Sequence, residues 1–215
     1  MNTLLIATHN PSKLKEISNY CKDRSRPVPT IHIELLSLFD LNITSQPEET
    51  GKTFEENSLL KAKYYARLCT DSTMCCPYIL ADDGGLTIDI LNGEPGVKSN
   101  RWLGHEAKDQ ELIDFTLKKL QGIPEEKRTA YLETVITFYD PASRTSVSET
   151  EKIKGRIADK PSNKWTPGYP YRGLFIVEKF QKYYDDLNEK EHEQVNHRLL
   201  ALKRLIVKIN NYLIE

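Results

Sequence analysis

The chain has 215 residues, of which 39% are hydrophobic, so it can bury a substantial core without disulfides or structural metals. Its 30 lysines and arginines face 31 aspartates and glutamates, which leaves a net charge of -1. Because no global positive field exists to hold a polyanion, nucleic acid is excluded as a general partner. A small anionic ligand in a local basic pocket is compatible with this charge balance.

The N-terminus and the cysteines bear on the cellular compartment. The first apolar run, residues 4–7, is too short for the hydrophobic region of a signal peptide or for a transmembrane helix, so we expect no membrane association. The four cysteines contain no Cys-x-x-Cys pair of the kind that builds zinc or redox sites. A reduced, cytoplasmic location is therefore predicted.

Apolar periodicity predicts alternating strands and helices along the chain. Asn10 is a good helix cap and Pro11 suits the first helical position, whereas Thr53 and Glu56 form the pattern of a capping box. In chain order, the predicted elements are a strand over residues 4–7, a helix over 11–21, a strand over 31–36, a helix over 53–69, strands over 78–81 and 86–91, a helix over 108–120, strands over 129–139 and 145–157, and a helix over 195–213.

The segments between these elements complete the fold prediction. Residues 159–173 are rich in proline and glycine, and residues 179–194 are rich in charge and tyrosine, so both are predicted to be loops or a flap. Alternating strands and helices without internal repeats indicate an α/β fold. Because no change in composition marks a second domain, residues 1–215 are predicted to form a single domain.

Residues 82–85 read Asp-Asp-Gly-Gly, at the break between an apolar run and an alternating one. Two adjacent carboxylates at the end of a buried strand repel each other, so a bound cation is one explanation for them. The other is a tight hairpin turn, because Asp-Gly between hydrophobic strands is a strong hairpin signal. Within an extended strand adjacent side chains point to opposite faces, so Asp82 and Asp83 need separate partners.

The segment from Thr8 to Lys13 leaves the first strand and enters the first helix. Backbone N–H groups, the positive end of the helix dipole and the Lys13 ammonium can all face one anion there, although the segment is not a Walker A loop. The alternative is a capped helix with an exposed lysine. The residues of this candidate phosphate site are Thr8, His9, Asn10, Pro11, Ser12 and Lys13.

Three further polar residues precede or occupy the second helix. Asn57 and Lys61 have i, i+4 spacing and share one face, and Glu49 lies in the polar segment before them. They can line one site, or they can belong to a solvated helix face. Arg101 follows a glycine-rich loop and is either a phosphate ligand or a surface arginine.

The C-terminal third contains two more candidate groups. His197 and Arg198 begin the last helix, where positive charge opposes the helix dipole, so an anionic or acceptor-rich partner would explain them; the alternative is two tolerated exposed residues. Tyr169 and Tyr171 can stack on a flat base, as aromatic side chains do at nucleotide sites, or they can hold their loop to the body.

In this order, the motifs resemble those of the inosine triphosphate pyrophosphatase family. The family loop T-x-N-x-x-K is matched by Thr8, Asn10 and Lys13, and E-T-G-x-T-F-x-E-N-x-x-x-K-A is matched over residues 49–62. The pattern A-D-D-S-G-L is matched over residues 81–86 except at its serine, and G-x-P-G-x-x-S-x-R is matched over residues 93–101. The histidine and arginine of S-H-R before A-L-K are matched by His197 and Arg198.

The resemblance implies an elongated mixed α/β fold, with a twisted sheet, flanking helices and two lobes around a central cleft, in a homodimer. It implies Mg²⁺-dependent hydrolysis of ITP, dITP and XTP to the monophosphate and pyrophosphate. Glu49 and Asp83 would hold Mg²⁺, and Asp83 would also activate the attacking water. The substrate-binding residues implied by residues and resemblance together are Thr8, His9, Asn10, Pro11, Ser12, Lys13, Asn57, Lys61, Gly84, Arg101, Tyr169, Pro170, Tyr171, Arg172, His192, His197 and Arg198.

This sequence departs from the family pattern near the phosphates and near the base. Gly84 replaces the serine of A-D-D-S-G-L, and His192 stands where the family commonly has a lysine. In the base loop, G-F-G-Y-D-P-I-F becomes residues 168–175, with Arg172 in place of the aspartate. Arginine only donates hydrogen bonds, so Arg172 either turns to O6 and N7 of a 6-oxopurine, or points to solvent or pairs with Glu178.

These departures leave three functional hypotheses. The first is a pyrophosphatase for non-standard purine nucleoside triphosphates, with an altered base preference as one variant. The second is a degenerate family member that binds or senses nucleotides with little turnover. The third is a pyrophosphatase for modified pyrimidine nucleotides.

Overall fold

A computed structural model describes residues 2–22, 33–71 and 78–214. The strands are β1 (Asn2–Ala7), β2 (Ile33–Ser37), β3 (Tyr78–Ile88), β4 (Thr129–Asp140), β5 (Thr145–Ile157), β6 (Phe175–Val177) and β7 (Lys182–Tyr183). The helices are α1 (Pro11–Lys22), α2 (Phe54–Asp71), α3 (Asp109–Lys119), α4 (Glu189–Val195) and α5 (His197–Ile214). Short 3-10 turns include Gly96–Arg101 and Pro170–Gly173.

The seven strands form one mixed sheet in the order β2-β1-β3-β4-β5-β6-β7. β1 pairs in parallel with β2 and with β3, whereas β6 pairs antiparallel with β5 and with β7. The predicted α/β class is therefore confirmed, with helices beside a mixed sheet. No helix within the described ranges is both long and apolar enough to cross a membrane.

Most helix predictions are confirmed because their caps form as expected. Asn10 Oδ1 accepts hydrogen bonds from the backbone N–H groups of Ser12 and Lys13, at 2.9 and 3.2 Å. Thr53 and Glu56 exchange hydrogen bonds in a capping box at the start of α2. The second strand is confirmed over its described part, and residues 31–32 of that prediction, like Cys75 and Cys76, lie outside the described residues.

Three predictions about local structure are wrong. The strands predicted over residues 78–81 and 86–91 are a single strand that ends at Ile88, and residues 89–91 form a 3-10 turn. The hairpin turn at residues 82–85 does not form, because β3 runs without interruption from Tyr78 to Ile88 and its glycines are extended. Residues 179–194 are not a plain loop, since they contain β7, a 3-10 turn and most of α4. Asn188 and Glu191 form a capping box that begins α4, a signal that the high charge of this segment concealed.

The chain divides into two compact units that are not continuous in sequence. Unit 1 comprises Met1–Asp83, Thr134–Glu151 and Arg198–Glu215, and unit 2 comprises Gly84–Glu133 and Lys152–His197. In unit 1, the sheet carries one apolar cluster with α1 and α5 and another with α2. Unit 2 has its own core, built from β3 to β6, α3 and residues such as Tyr184.

Candidate active site

The face on which each aspartate of β3 lies follows from the alternation of the strand. Ile79 and Ala81 pack in the cluster that contains α2, whereas Leu80 packs in the cluster that contains α1 and α5. Because side chains alternate along a strand, Asp83 continues the α2 face and Asp82 continues the opposite one. Both aspartates are buried, with 3% and 6% of their surfaces exposed. The predicted separation of the pair is confirmed by their different partners, described next.

Asp83 belongs to a buried group with Glu49 and Lys61. The Lys61 Nζ atom lies 2.5 Å from Glu49 Oε1 and 2.8 Å from Asp83 Oδ1. The Lys61 side chain is only 15% exposed, so the interpretation of this helix face as solvated is wrong. The Lys61 ammonium thus contacts two carboxylates, one from the segment before α2 and one from β3.

Burial governs the electrostatics of this group. It raises the pKa of the Asp83 carboxyl above its ordinary value, and the nearby Lys61 ammonium offsets only part of that effect. Burial alone would lower the pKa of Lys61, but the charges of Asp83 and Glu49 outweigh it and raise that pKa. Asp83 is therefore a more basic carboxylate than an exposed aspartate, beside a firmly protonated lysine.

The Glu49 and Asp83 carboxylates fit a small hard cation. Asp83 Oδ2 is buried and has no hydrogen-bond partner among the described residues, which leaves it available as a ligand. Magnesium is usually bound by one or two carboxylates together with phosphate oxygens and water. In the described part of the chain, no three His, Cys, Asp or Glu side chains gather to hold a metal, so the donor set stays at two carboxylates.

Asn57 supports the segment that carries Glu49. Its side chain is fully buried, and its Oδ1 atom accepts a hydrogen bond of 2.8 Å from the Gly51 backbone N–H. A Cβ atom at Gly51 would lie 2.5 Å from that Asn57 oxygen, so this position requires glycine. In the structure, Asn57 therefore contacts the backbone of Gly51, two residues after Glu49.

Asp82 is the centre of a second ion-pair network in unit 1. Asp82 Oδ2 lies 3.0 Å from Lys13 Nζ and 3.2 Å from Arg198 Nε, and Arg198 Nη1 lies 3.0 Å from Glu16 Oε2. The Lys13 side chain is 15% exposed and Arg198 is 3% exposed. The alternatives of an exposed lysine and of an exposed arginine are therefore wrong.

The charges in this network shift the ionisation of Asp82 strongly. Burial alone would raise its pKa, but the positive charges of Lys13, Arg198 and Lys61 hold the pKa well below the ordinary value. Burial lowers the pKa of Lys13, and Asp82 counteracts this. Asp82 consequently stays ionised at neutral pH, whereas the pKa of its neighbour Asp83 shifts in the other direction.

The loop before α1 is satisfied internally rather than open to an anion. The backbone N–H of Asn10 donates to Thr8 Oγ1 at 3.2 Å, and Asn10 Oδ1 occupies the N–H groups of Ser12 and Lys13. The expectation of free N–H groups at these three residues is therefore wrong. Pro11 is exposed, and His9 Nε2 lies 3.1 Å from the Ser45 carbonyl oxygen, so Lys13 supplies the positive charge of this loop.

In unit 2, the loop that ends at Arg101 is fastened to β3. Ser99 Oγ donates to the Gly96 carbonyl at 2.6 Å and accepts a hydrogen bond of 3.0 Å from the Leu86 backbone N–H. A Cβ atom at Gly85 would lie 2.0 Å from Ser99 Oγ, so the second glycine after the aspartates lets the loop approach. Arg101 ends the 3-10 turn of this loop and is half-buried.

Tyr171 fastens the same loop from the other side. Its buried hydroxyl donates a hydrogen bond of 2.5 Å to the Ser99 carbonyl oxygen, and burial raises the pKa of that hydroxyl. Of the two interpretations of Tyr171, the role in holding a loop is therefore confirmed. Pro170 is buried as the first residue of its 3-10 turn, and Gly84 is half-buried on β3.

Arg172 lies between two aromatic rings of unit 2. Its Cζ atom is 3.6 Å from the centroid of the Tyr169 ring and 4.8 Å from that of Tyr184. Only 6% of Arg172 is exposed, so the interpretation that it points to solvent is wrong. Glu178, its proposed partner, lies 2.8 Å from Lys154 Nζ.

Both predicted histidines of unit 2 lie against the same tyrosine. The His192 ring is edge-on to Tyr184 with 4.9 Å between centroids, and the His197 ring is edge-on at 6.2 Å. The structure therefore places Arg172, His192 and His197 against Tyr184, and Tyr169 against Arg172. This aromatic cluster contains most of the residues predicted to contact a base.

The chain is similar to known proteins along nearly its whole length. Residues 4–208 match the model of the Ham1 family. The chain belongs to the Ham1 family. One relative, the dITP/XTP pyrophosphatase of Thermoanaerobacter pseudethanolicus, is 36% identical over 99% of this chain and 96% of its own length. That of Bacillus subtilis is 36% identical over 95% of this chain and 96% of its own.

Solved Ham1 structures share the fold. The structure of a HAM1 protein from Coxiella burnetii matches with a TM-score of 0.79 and 29% identity, over 98% of this chain and all of that one. The Staphylococcus aureus Ham1 protein matches with a TM-score of 0.78 and 27% identity over the same shares. The resemblance drawn from the motifs is thereby confirmed.

Two residues of this Ham1 site escaped sequence reasoning. Glu16 lies three residues after Lys13 on α1, so helical spacing alone could have placed both on one face. Tyr184 lies in a segment dominated by charge, yet it is fully buried and holds the aromatic cluster together. The aromatic pair Tyr183-Tyr184 in a charged segment was the sequence signal for it.

Proposed function

We propose that this Ham1 protein is a nucleoside triphosphate pyrophosphatase that converts ITP, dITP and XTP to the monophosphate and pyrophosphate. The names of relatives that align with nearly the whole chain support this activity. The observation that carries the proposal is the buried group of Glu49, Lys61 and Asp83, which combines two carboxylates with one ammonium. Such a group suits a highly charged phosphate substrate and a divalent cation.

Asp83 is proposed to activate the attacking water. A bond forms between the water oxygen and the α-phosphorus, the bond from that phosphorus to the oxygen bridging to the β-phosphate breaks, and pyrophosphate leaves with the electron pair. The water proton passes to the Asp83 carboxylate. Two features support this role: Oδ2 has no hydrogen-bond partner among the described residues, and burial raises the pKa of the carboxyl.

Mg²⁺ is the proposed cofactor, with Glu49 and Asp83 as its protein ligands. When bound, the ion neutralises negative charge that develops on the phosphate oxygens. Lys13 and Lys61 supply further positive charge in unit 1, and both are proposed to bind the triphosphate. Arg101 has the same proposed role, and the fixed position of its loop through Ser99 supports it.

The aromatic cluster around Tyr184 is the proposed base site. Tyr169 supplies a half-buried ring for stacking, and His192 and His197 supply ring nitrogens. Arg198 is also implied in base recognition, although two of its guanidinium nitrogens already bind Asp82 and Glu16. The whole chain is proposed to act as one pyrophosphatase domain, as a homodimer in the cytoplasm.

A panel of nucleotides tests the proposed function. Pyrophosphate release from ITP, dITP, XTP, GTP, dGTP and modified pyrimidine triphosphates is measured with Mg²⁺ and again after chelation by EDTA. We expect ITP, dITP or XTP to be the best substrates and EDTA to abolish turnover. Thermal stabilisation by these nucleotides without turnover would instead identify a nucleotide-binding protein, and a pyrimidine preference would identify the third function. Size-exclusion chromatography with light scattering tests the dimer.

A further inference from the structure

The guanidinium of Arg172 is held in a fixed orientation inside the aromatic cluster. Tyr169 and Tyr184 contact it at 3.6 and 4.8 Å, and stacking of this kind attracts a cation to the ring face. The backbone N–H of Arg172 also donates to the Tyr169 carbonyl oxygen at 3.1 Å, which ties the two residues together. The positive charge is therefore a permanent part of the cluster rather than a side chain that moves in solvent.

The charge of Arg172 differs in sign from that of the residue at this position in the family motif that the sequence resembles. The family motif has an aspartate at this position of the base loop, so Arg172 replaces a negative charge by a positive one. Because only 6% of Arg172 is exposed, solvent and salt screen its field weakly. A ligand that reaches this cluster thus meets a more positive potential than an aspartate at the same position would give.

Purine bases differ in how they respond to such a potential. The xanthine base loses a ring proton close to neutral pH and becomes an anion, whereas hypoxanthine keeps its proton and stays neutral. We infer that Arg172 is a specificity-determining residue that directs this protein toward the anionic xanthine base, so that XTP is preferred over ITP. The inference rests on the proposed function for its substrate class and on the stacked guanidinium for its direction.

Binding of the two monophosphates isolates the contribution of the base, because XMP and IMP differ only there. Isothermal titration calorimetry with XMP and with IMP, at one mildly alkaline pH, is expected to give at least about tenfold tighter binding of XMP to the wild type. Arg172→Gln removes the charge but keeps a flat polar group, and it should reduce the ratio of the two Kd values to within about twofold. Arg172→Lys keeps the charge and should retain most of the preference.

Arg156→Gln is the matched control. Arg156 is a partly exposed arginine of the same unit, paired with Glu125 outside the aromatic cluster, so its loss removes the same charge without changing the XMP to IMP ratio. Thermal unfolding followed by circular dichroism checks that each variant folds. If Arg172→Gln does not fold, the ratio of the two Kd values in the wild type still tests the inference. Equal Kd values for XMP and IMP would overturn it.

Turnover separates this inference from the proposed function. If ITP and XTP are hydrolysed at equal kcat/KM and the monophosphate ratio is unaffected by Arg172→Gln, the inference is wrong and the pyrophosphatase function stands. If neither triphosphate is hydrolysed but XMP binds tightly through Arg172, the proposed function is wrong and the inference about base selection stands.

Discussion

Asp82 and Asp83 are neighbours on β3, yet Asp82 binds Lys13 at 3.0 Å and Asp83 binds Lys61 at 2.8 Å. The two lysines come from α1 and α2, which pack in different apolar clusters of unit 1. Because side chains alternate along a strand, β3 places two adjacent carboxylates in two different environments. The partner of each carboxylate is therefore set by its own environment and not by repulsion between the two. As a consequence, the two pKa values shift in opposite directions: that of Asp82 is lowered and that of Asp83 is raised.

Replacing Asp83 by asparagine should abolish activity and spare the fold. The raised pKa means that folding disfavours the Asp83 charge, and Lys61 keeps Glu49 as a partner, so removal of the charge should not lower the free energy of unfolding. Loss of the proton acceptor should lower kcat by about a hundredfold or more. Pyrophosphate release and urea unfolding measure the two effects. Retained activity would transfer the proposed role to Asp82.

Replacing Asp82 by asparagine, unlike the change at Asp83, should destabilise the protein. Lys13 and Arg198 would lose a buried carboxylate, and breaking a buried ion pair from one side costs about 3 kcal/mol or more. Urea unfolding of the Asp82→Asn variant measures this cost. The control is Asp89→Asn, because Asp89 is exposed, and the two variants should differ clearly. A loss no larger than that of the control would contradict the role of Asp82 as the centre of the network.

The contribution of Asp82 to stability should depend on pH in a defined direction. Its folded pKa lies below the unfolded value of about 3.9, so the stabilisation is complete above that value and is lost as pH falls toward the folded pKa. The difference in unfolding free energy between wild type and Asp82→Asn should therefore shrink below about pH 4. Urea titrations in EDTA between neutral and acid pH measure it. A difference that stays constant throughout this range would show that the Asp82 charge does not contribute.

The separation of Asp82 from Asp83 could be predicted because strand alternation is a local property of the backbone. The capping residues Asn10 and Thr53 were equally readable, since each acts on N–H groups within its own helix turn. The glycines after Asp83 suggested a hairpin turn that does not form. Pairing within the sheet, which keeps β3 extended beside β4, outweighs their local turn preference. Propensity decides a hairpin only where no neighbouring strand competes.

Contacts between residues that are distant in sequence could not be predicted from local sequence patterns. Arg172 and Tyr184 are twelve positions apart, in separate 3-10 turns with β6 and β7 between them, and no single helical or strand period relates them. The burial of Lys13 was hidden for the same reason, because its partner Asp82 lies on another element. Family motifs indicated which residues belong to the site, whereas packing determined what each one touches.

Glu49 should be tested through the magnesium requirement. Glu49→Gln keeps the size of the side chain but removes half of the proposed carboxylate pair, so the Mg²⁺ concentration for half-maximal activity should rise by about tenfold. Titration of pyrophosphate release with Mg²⁺ at fixed nucleotide measures this shift. Glu48→Gln is the matched control, because Glu48 is the adjacent glutamate and is exposed. Equal Mg²⁺ requirements for the two variants would remove Glu49 from the proposed metal site.

Ser99 should prove important through the position of its loop. In Ser99→Ala, the buried Leu86 N–H loses its acceptor, and an unpaired buried donor costs about 1–3 kcal/mol. Gly85→Ala should be at least as damaging, since the added Cβ would lie 2.0 Å from Ser99 Oγ and 2.9 Å from the Gly96 carbonyl oxygen. If the loop positions Arg101 on the phosphates, both variants should also raise KM for the triphosphate. Thermal unfolding and steady-state kinetics measure the two effects, and an unchanged KM in a destabilised Ser99→Ala protein would limit Ser99 to holding the fold.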